Sequence, residues 1–331
     1  MTELIENNLE NNIENIIKNY NVRRIVFTND TTNSKYINKT VDKIYCINLQ
    51  KDKFRRNYII KIMEKYNINF ELIIVPLLTT NEYEIINNKK KLSYGETGCY
   101  ISHMYCYKDA IDNDYNKIII FEDDIILQKY FHESFERIKD LGNIDLILLG
   151  CSDYHFRSFN CRLVKNNMYT PDKSSKFIGG THAIFYSKTI ISTIYNYRLN
   201  KPTFMDDTLI EFFTFGKGYI CFPNLAIVDF STSNIKHNID FFSTSNDEYY
   251  IKNCFNNIFV YSEYHFFYFI LFEHLVKIIN TKYFCENFKK TIENTIRTHN
   301  FSSLEKNKIL YRIDFDFFSL TDLRFILENN I

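Results

Sequence analysis

The 331-residue chain has no tryptophan and only four prolines and eight glycines. Few chain breakers are therefore available to build long turn-rich loops or a Gly/Pro linker. Net charge is also missing, because 40 Lys and Arg balance 40 Asp and Glu. That removes the electrostatic footprint of a nucleic-acid binder and leaves local recognition of any partner. The eight cysteines include no C-x-x-C pair, which fits reduced thiols better than a disulfide frame or a zinc knuckle. The longest greasy stretch, 264–279, is interrupted by His265, Glu273, His274 and Lys277, too many polar groups for a bilayer span of ~20 apolar residues. The first twenty residues are acidic and amide-rich with no apolar h-region, so a secretory signal is not expected and a cytoplasmic setting is.

What is present is a folded composition, 45% hydrophobic and 24% charged, with 31 Phe and 25 Tyr. Leu4, Ile5, Leu9, Ile13, Ile16, Ile17 and Tyr20 fall at three- and four-residue steps, a helix that packs on a neighbour. Short strands are expected over 22–27, 43–49, 70–77, 117–121, 145–149 and 181–186. Helices are expected over 53–66, 93–111 and 188–197, with a polar loop over 29–40. This alternation argues for an α/β sheet with mostly parallel strands. From about 240 the chain becomes long helical patterns rich in Phe, Tyr and Asn with no glycine. The division is therefore 1–42 as an N-terminal extension, 43–238 as the sheet domain and 239–331 as a helical C-terminal extension.

The chemistry concentrates in two places. Ile118-Ile119-Ile120-Phe121 runs straight into Glu122, Asp123 and Asp124. Consecutive carboxylates repel, so a cation is the natural compensation. Strand alternation puts Glu122 and Asp124 on one side as a metal clamp and Asp123 on the other. Hard ions such as Mn²⁺ or Mg²⁺ prefer such oxygens together with substrate phosphates. In open α/β sheets the ligand crevice lies beyond the carboxyl ends of the strands, where this triplet falls. An acidic loop or helix start is the bland alternative. The second place is Leu92 to His103, where Ser93 and Glu96 form a capping box. Gly95, Gly98 and Ser102 share a small-residue face that allows close approach to a sheet or a ligand. Two glycines in a first turn are costly unless closeness is required. Plain helix–sheet packing would account for them equally well, and His103 alone reads as a structural histidine.

Together these segments resemble glycosyltransferase family 25, which contains lipooligosaccharide and procollagen galactosyltransferases. Ile47-Asn48-Leu49 followed by Arg55 and Arg56 is similar to its opening I-N-L-x(5)-R signature. Leu92-Ser93-x-Gly95-Glu96-x-Gly98-Cys99-x-x-Ser102-His103 is similar to its L-[ST]-x-G-E-x-G-C-x-x-S-H block, and Glu122-Asp123-Asp124 to its E-D-D. Gly180-Thr181-His182-Ala183 and Phe204-Met205-Asp206 resemble weaker downstream blocks, so the resemblance spans about 43–238.

The resemblance implies a GT-A nucleotide-sugar fold and a UDP-sugar donor, galactose or glucose, transferred with inversion to a glycan, lipid-linked or protein hydroxyl. Glu122 and Asp124 would hold Mn²⁺ or Mg²⁺ on the diphosphate, with His237 as a third ligand. Asn48, Arg55, Arg56, Gly95, Gly98, Ser102, His103, Glu122 and Asp123 are the donor-site candidates. Asp206, at the family's P-x-D-x-x-L aspartate, is the candidate base, and Asp207 the runner-up. Either could instead cap a helix from Thr208. No nucleic-acid partner is implied, and the C-terminal helices could pair two copies. A non-catalytic relative binding glycan or protein is the competing class. A phosphohydrolase is weaker, since no D-x-D-x-[TV] nucleophile motif accompanies the acids.

Overall fold

The structure, a computed structural model, describes residues 2–28, 35–87, 92–127, 131–138, 144–150, 161–165, 168–171, 180–205, 211–213, 217–221 and 225–228. Asp206, Asp207, His237 and the whole 239–331 extension lie outside these residues.

The first half alternates as the sequence predicts. Helix α1 (Thr2–Asn19) leads into β1 (Arg23–Phe27), and α2 (Tyr36–Thr40) into β2 (Lys43–Leu49). Then follow α3 (Lys53–Lys65), β3 (Phe70–Val75), α4 (Thr80–Ile86), α5 (Tyr94–Asp112) and β4 (Lys117–Glu122). Shorter pieces come next: β5 (Ile125–Leu127), α6 (Phe131–Glu136), β6 (Leu146–Leu148), β7 (Cys161–Lys165) and β8 (Met168–Pro171). The described part closes with β9 (Ala183–Ser187), α7 (Lys188–Asn200), β10 (Gly218–Cys221) and β11 (Ala226–Val228). Residues 36–40, read as loop, form α2 instead, because Ile37 is buried beneath α6 and gives that polar stretch an anchor.

Among the described residues, nine strands make one sheet in the order β1-β3-β2-β4-β9-β6-β10-β8-β7, and β5 pairs with β11 in a small second sheet. The sheet is mixed, which corrects the mostly parallel expectation. Only β2–β3, β2–β4 and β6–β10 are parallel, whereas β9 runs antiparallel to both β4 and β6. Sequence periodicity reports which side chains are buried and carries no direction for the strand, so the inversion of β9 left no trace in it.

Both faces of the sheet are covered. Ile118 and Ile120 of β4, with Ile184 and Tyr186 of β9, pack into a core with α1, α5 and α7. Ile119, Phe121, Ala183 and Phe185 pack oppositely with α2, α3 and α6. Strands buried on both faces read as continuous apolar runs, as 118–121 does. The N-terminal stretch, set apart as an extension in the sequence, contributes to this body: β1 pairs with β3, and α1 packs on α4, α5 and α7. Among the described residues, no helix is long and apolar enough to cross a membrane.

Because β2, β4 and β6 run the same way and β9 runs against them, one edge gathers the ends of three strands and the start of a fourth. Asn48, Glu122, Gly150 and Thr181-His182 all lie there.

Candidate active site at the strand ends

Alternation along β4 carries through Asp123 and then fails. Glu122 follows Ile118 and Ile120 to the α5 side, where its Oε1 lies 3.3 Å from His103 Nε2 and accepts from Thr181 Oγ1 at 2.6 Å. Asp123 follows Phe121 to the α3 side. There Arg55 donates to its Oδ1 at 2.9 Å and Asn48 Nδ2 to its Oδ2 at 2.6 Å. The strand ends at Glu122, and Asp123-Asp124 form a turn. Asp124 therefore joins Asp123 and accepts from the other arm of Arg55 at 2.9 Å. The expected pairing of Glu122 with Asp124 on one side is thus corrected: the two aspartates share one guanidinium, and Glu122 stands apart from them.

Local sequence explains this reach. Asp52 caps α3 by accepting from the Arg55 amide, so the first turn of that helix aims Arg55 at the strand ends. Arg56 turns instead to Asn48 Oδ1 at 2.8 Å and the Gln50 carbonyl at 2.7 Å. Asn48, Arg55, Arg56, Asp123 and Asp124 form one network. Asn48 is fully buried, and Arg55, Asp123 and Asp124 are nearly so.

The carboxyls differ electrostatically. Burial raises Glu122, but the hydrogen bond and charge of His103, the Thr181 hydroxyl and nearby His182 outweigh it and hold the group down at about 2. Burial raises Asp123 to about 6 against the pull of Arg55 and Asn48, with Asp52 and Glu122 adding to the rise. Burial likewise lowers His182, against Glu122 and the Ala226 carbonyl.

The predicted capping box at Ser93 and Glu96 is present and starts α5 at Tyr94. Of the sheet or ligand that this face was expected to approach, Gly98 does not pack closely on the sheet: among the described residues, a Cβ there would meet nothing within 4 Å. Ser102 is buried and donates to the Gly98 carbonyl at 2.6 Å. From that block His103 meets Glu122 at 3.3 Å, and Cys99 lies within 4.8 Å of both.

Several participants had no site role in the sequence reading, which placed Thr181 and His182 only within a weaker family block. Thr181 and His182 enter the site just before β9, after Gly180 at φ 99°, a left-handed conformation suited to glycine. Gly150 is the site's tight contact, since a Cβ there would lie 1.8 Å from the Ala226 carbonyl oxygen and 2.6 Å from His182 Nε2. Thr-His directly before an apolar run at a strand start was the available signal for the first two. Gly150 had no local signal, because its neighbour comes from β11.

For a divalent cation the turn offers carboxylate oxygens, and it already holds the positive charge of Arg55 with two of them. That donor chemistry fits a hard ion.

The comparisons with known proteins match this part of the chain. Residues 41–202 match the family described as glycosyltransferase family 25 (LPS biosynthesis protein). Human procollagen galactosyltransferase 2 is 26% identical over 118 residues, covering 31% of this chain and 18% of that protein. A Haemophilus influenzae protein bearing a glycosyltransferase name is 38% identical over 111 residues, covering 31% of this chain and 37% of its own. An Aedes aegypti glycosyltransferase 25 family member is 25% identical over 130 residues, covering 33% and 21%. The matched region spans less than two-fifths of each relative's length.

Proposed function

Since residues 41–202 carry the sequence of glycosyltransferase family 25, we propose that this protein transfers a hexose, galactose or glucose, from a UDP-sugar to a glycan, lipid-linked or protein hydroxyl with inversion. The observation carrying this reading is that the three ordered motifs of the family meet at one sheet edge: Asn48 and Arg55 from the first, His103 from the second, and Glu122, Asp123 and Asp124 from the third. A GT-A arrangement is the reading of that edge, which has the place of a nucleotide crevice beyond the carboxyl ends of β2 and β4.

Asp124, with His237 as a further ligand, would hold Mn²⁺ or Mg²⁺. When bound, such an ion supplies Lewis-acid stabilisation of the departing diphosphate. Arg55 and Arg56 bring two positive charges to the same edge, which favours a phosphate there. Gly98 leaves space open beside the first turn of α5, where the helix N-terminus favours an anion. Asp206 takes the acceptor proton, with Asp207 as the alternative. The described cysteines, Cys46, Cys99, Cys106 and Cys221, form no disulfide, which fits a cytoplasmic enzyme. Pairing of two copies through 239–331 belongs to the same proposal.

The test is transfer and donor hydrolysis with UDP-galactose and UDP-glucose, comparing wild type with Asp206→Asn and Asp207→Asn. Loss of the base lowers turnover ~10²- to 10⁴-fold, while UDP affinity stays unchanged. If both variants turn over normally, the base lies elsewhere. If wild type binds a UDP-sugar without turnover, the binding-module alternative takes its place.

A further inference from the structure

On the α5 side of β4 lies a group of potential ligands that the hard-cation reading does not use. Cys99 and His103 are four residues apart on α5 and so project from one helix face. Glu122 ends β4 opposite them. One ligand atom from each of the three lies within 4.8 Å of the others, the only such grouping among the described residues. The geometry points to a second metal site here, for a borderline transition ion of the Zn²⁺ class rather than for Mg²⁺ or Mn²⁺.

Three features support it. The donor set of thiol, imidazole and carboxylate is the one that zinc, cobalt and nickel take, and magnesium does not. The buried His103 ring turns its Nε2 to Glu122 Oε1 at 3.3 Å, the spacing that two ligands of one tetrahedral ion take. Finally, the Thr181 hydroxyl bonded to Glu122 Oε1 at 2.6 Å is the kind of outer partner that orients a ligating carboxylate.

The shape is suitable too. Zinc bonds of about 2.0–2.3 Å place tetrahedral ligands roughly 3.3–3.8 Å apart, so the group closes by about 1 Å. Cys99 and Glu122 are partly exposed while His103 is buried. The ion would be anchored from within and would keep a fourth position toward the outside. Three protein ligands and one open position make a site able to bind a water or an anionic ligand. This assignment commits Glu122 to the α5 side and leaves Asp124 as the carboxylate of the hard-cation site.

The experiment uses the full chain, stripped of metal and kept reduced. Co²⁺ is titrated while the thiolate-to-cobalt charge-transfer absorption is followed, and Zn²⁺ is then used to displace it. One equivalent of Co²⁺ with a thiolate band is expected. Cys99→Ser should abolish the band, and Cys99→Ser and His103→Gln should each weaken Zn²⁺ by at least about tenfold. Asp124→Asn should bind as wild type does, and Mg²⁺ should not compete. Absence of stoichiometric Co²⁺ binding overturns the site. So does an unchanged band in Cys99→Ser, or loss of binding in Asp124→Asn with retention in Cys99→Ser. If His103→Gln does not fold, the partly exposed Cys99→Ser decides alone. No turnover is measured, so failure of the transferase proposal would leave this result standing.

Discussion

Asp124 illustrates how one residue's partners change its expected behaviour. From sequence alone, deleting one of three adjacent acids would relieve repulsion and slightly stabilise the protein. The structure already supplies Arg55 as the compensating cation, 2.9 Å from both Asp123 and Asp124. Asp124→Ala is therefore expected to cost roughly 1–3 kcal/mol in the ligand-free protein, the range for leaving a buried charged partner partly unsatisfied, measured by urea unfolding. Gly98 carries the opposite prediction. With open space at its Cβ position, Gly98→Ala should gain up to ~1 kcal/mol from helix propensity. The same methyl should weaken UDP binding if the nucleotide occupies that space, and calorimetry read beside the unfolding curve separates the two effects. Residue identity was legible here and direction was not. The E-D-D triplet and the I-N-L-x(5)-R block were visible as motifs, but the side each acid takes depends on β4 stopping at Glu122. Nothing in a run of three acids marks that stop.

Between elements, the sheet edge is held by contacts that no single segment encodes. Glu71 on β3 is 3% exposed and pairs with Arg24 of β1 and Lys43 of β2. Arg24 also reaches Asp109 of α5, which accepts from Tyr45 at 2.6 Å. Burial raises the Glu71 carboxyl, but Arg24 and Lys43 outweigh it and hold it below its ordinary value. A depressed carboxylate contributes stability that is present above its unfolded pKa and is lost as pH falls through the lower folded value. Glu71→Gln should thus cost ~1–3 kcal/mol at pH 7 and flatten the fall in stability below about pH 4.3, read by denaturant melts across pH. Gly150 makes a sharper element-level case, because β6 and β11 approach so closely that a Cβ would meet the Ala226 carbonyl at 1.8 Å. Gly150→Ala should cost about 1–3 kcal/mol, as overpacking does, and disturb His182 with it. Helices α3, α5 and α7 were readable from period and caps. The β9 inversion and the β6–β11 approach were not, since they are long-range pairings without a local pattern.

For the whole molecule, the described residues form a mixed sheet covered on both faces, with chemistry gathered where β2, β4 and β6 end and β9 begins. Residues 41–202, the part similar to glycosyltransferase family 25, supply every group placed at that edge except Ala226. The central claim is that this edge binds a UDP-sugar through a divalent ion on the acidic turn. Its most direct measurement is the thermal shift produced by UDP with Mn²⁺, with UDP alone and with Mn²⁺ alone, in wild type and Asp124→Ala. A ligand at about 100-fold over its Kd adds about 2.7 kcal/mol to stability. The account predicts that wild type gains a shift of that order only when nucleotide and ion are both present, and that Asp124→Ala loses it. An equal shift in the variant, or no shift in wild type with any uridine or other nucleoside diphosphate, would contradict it.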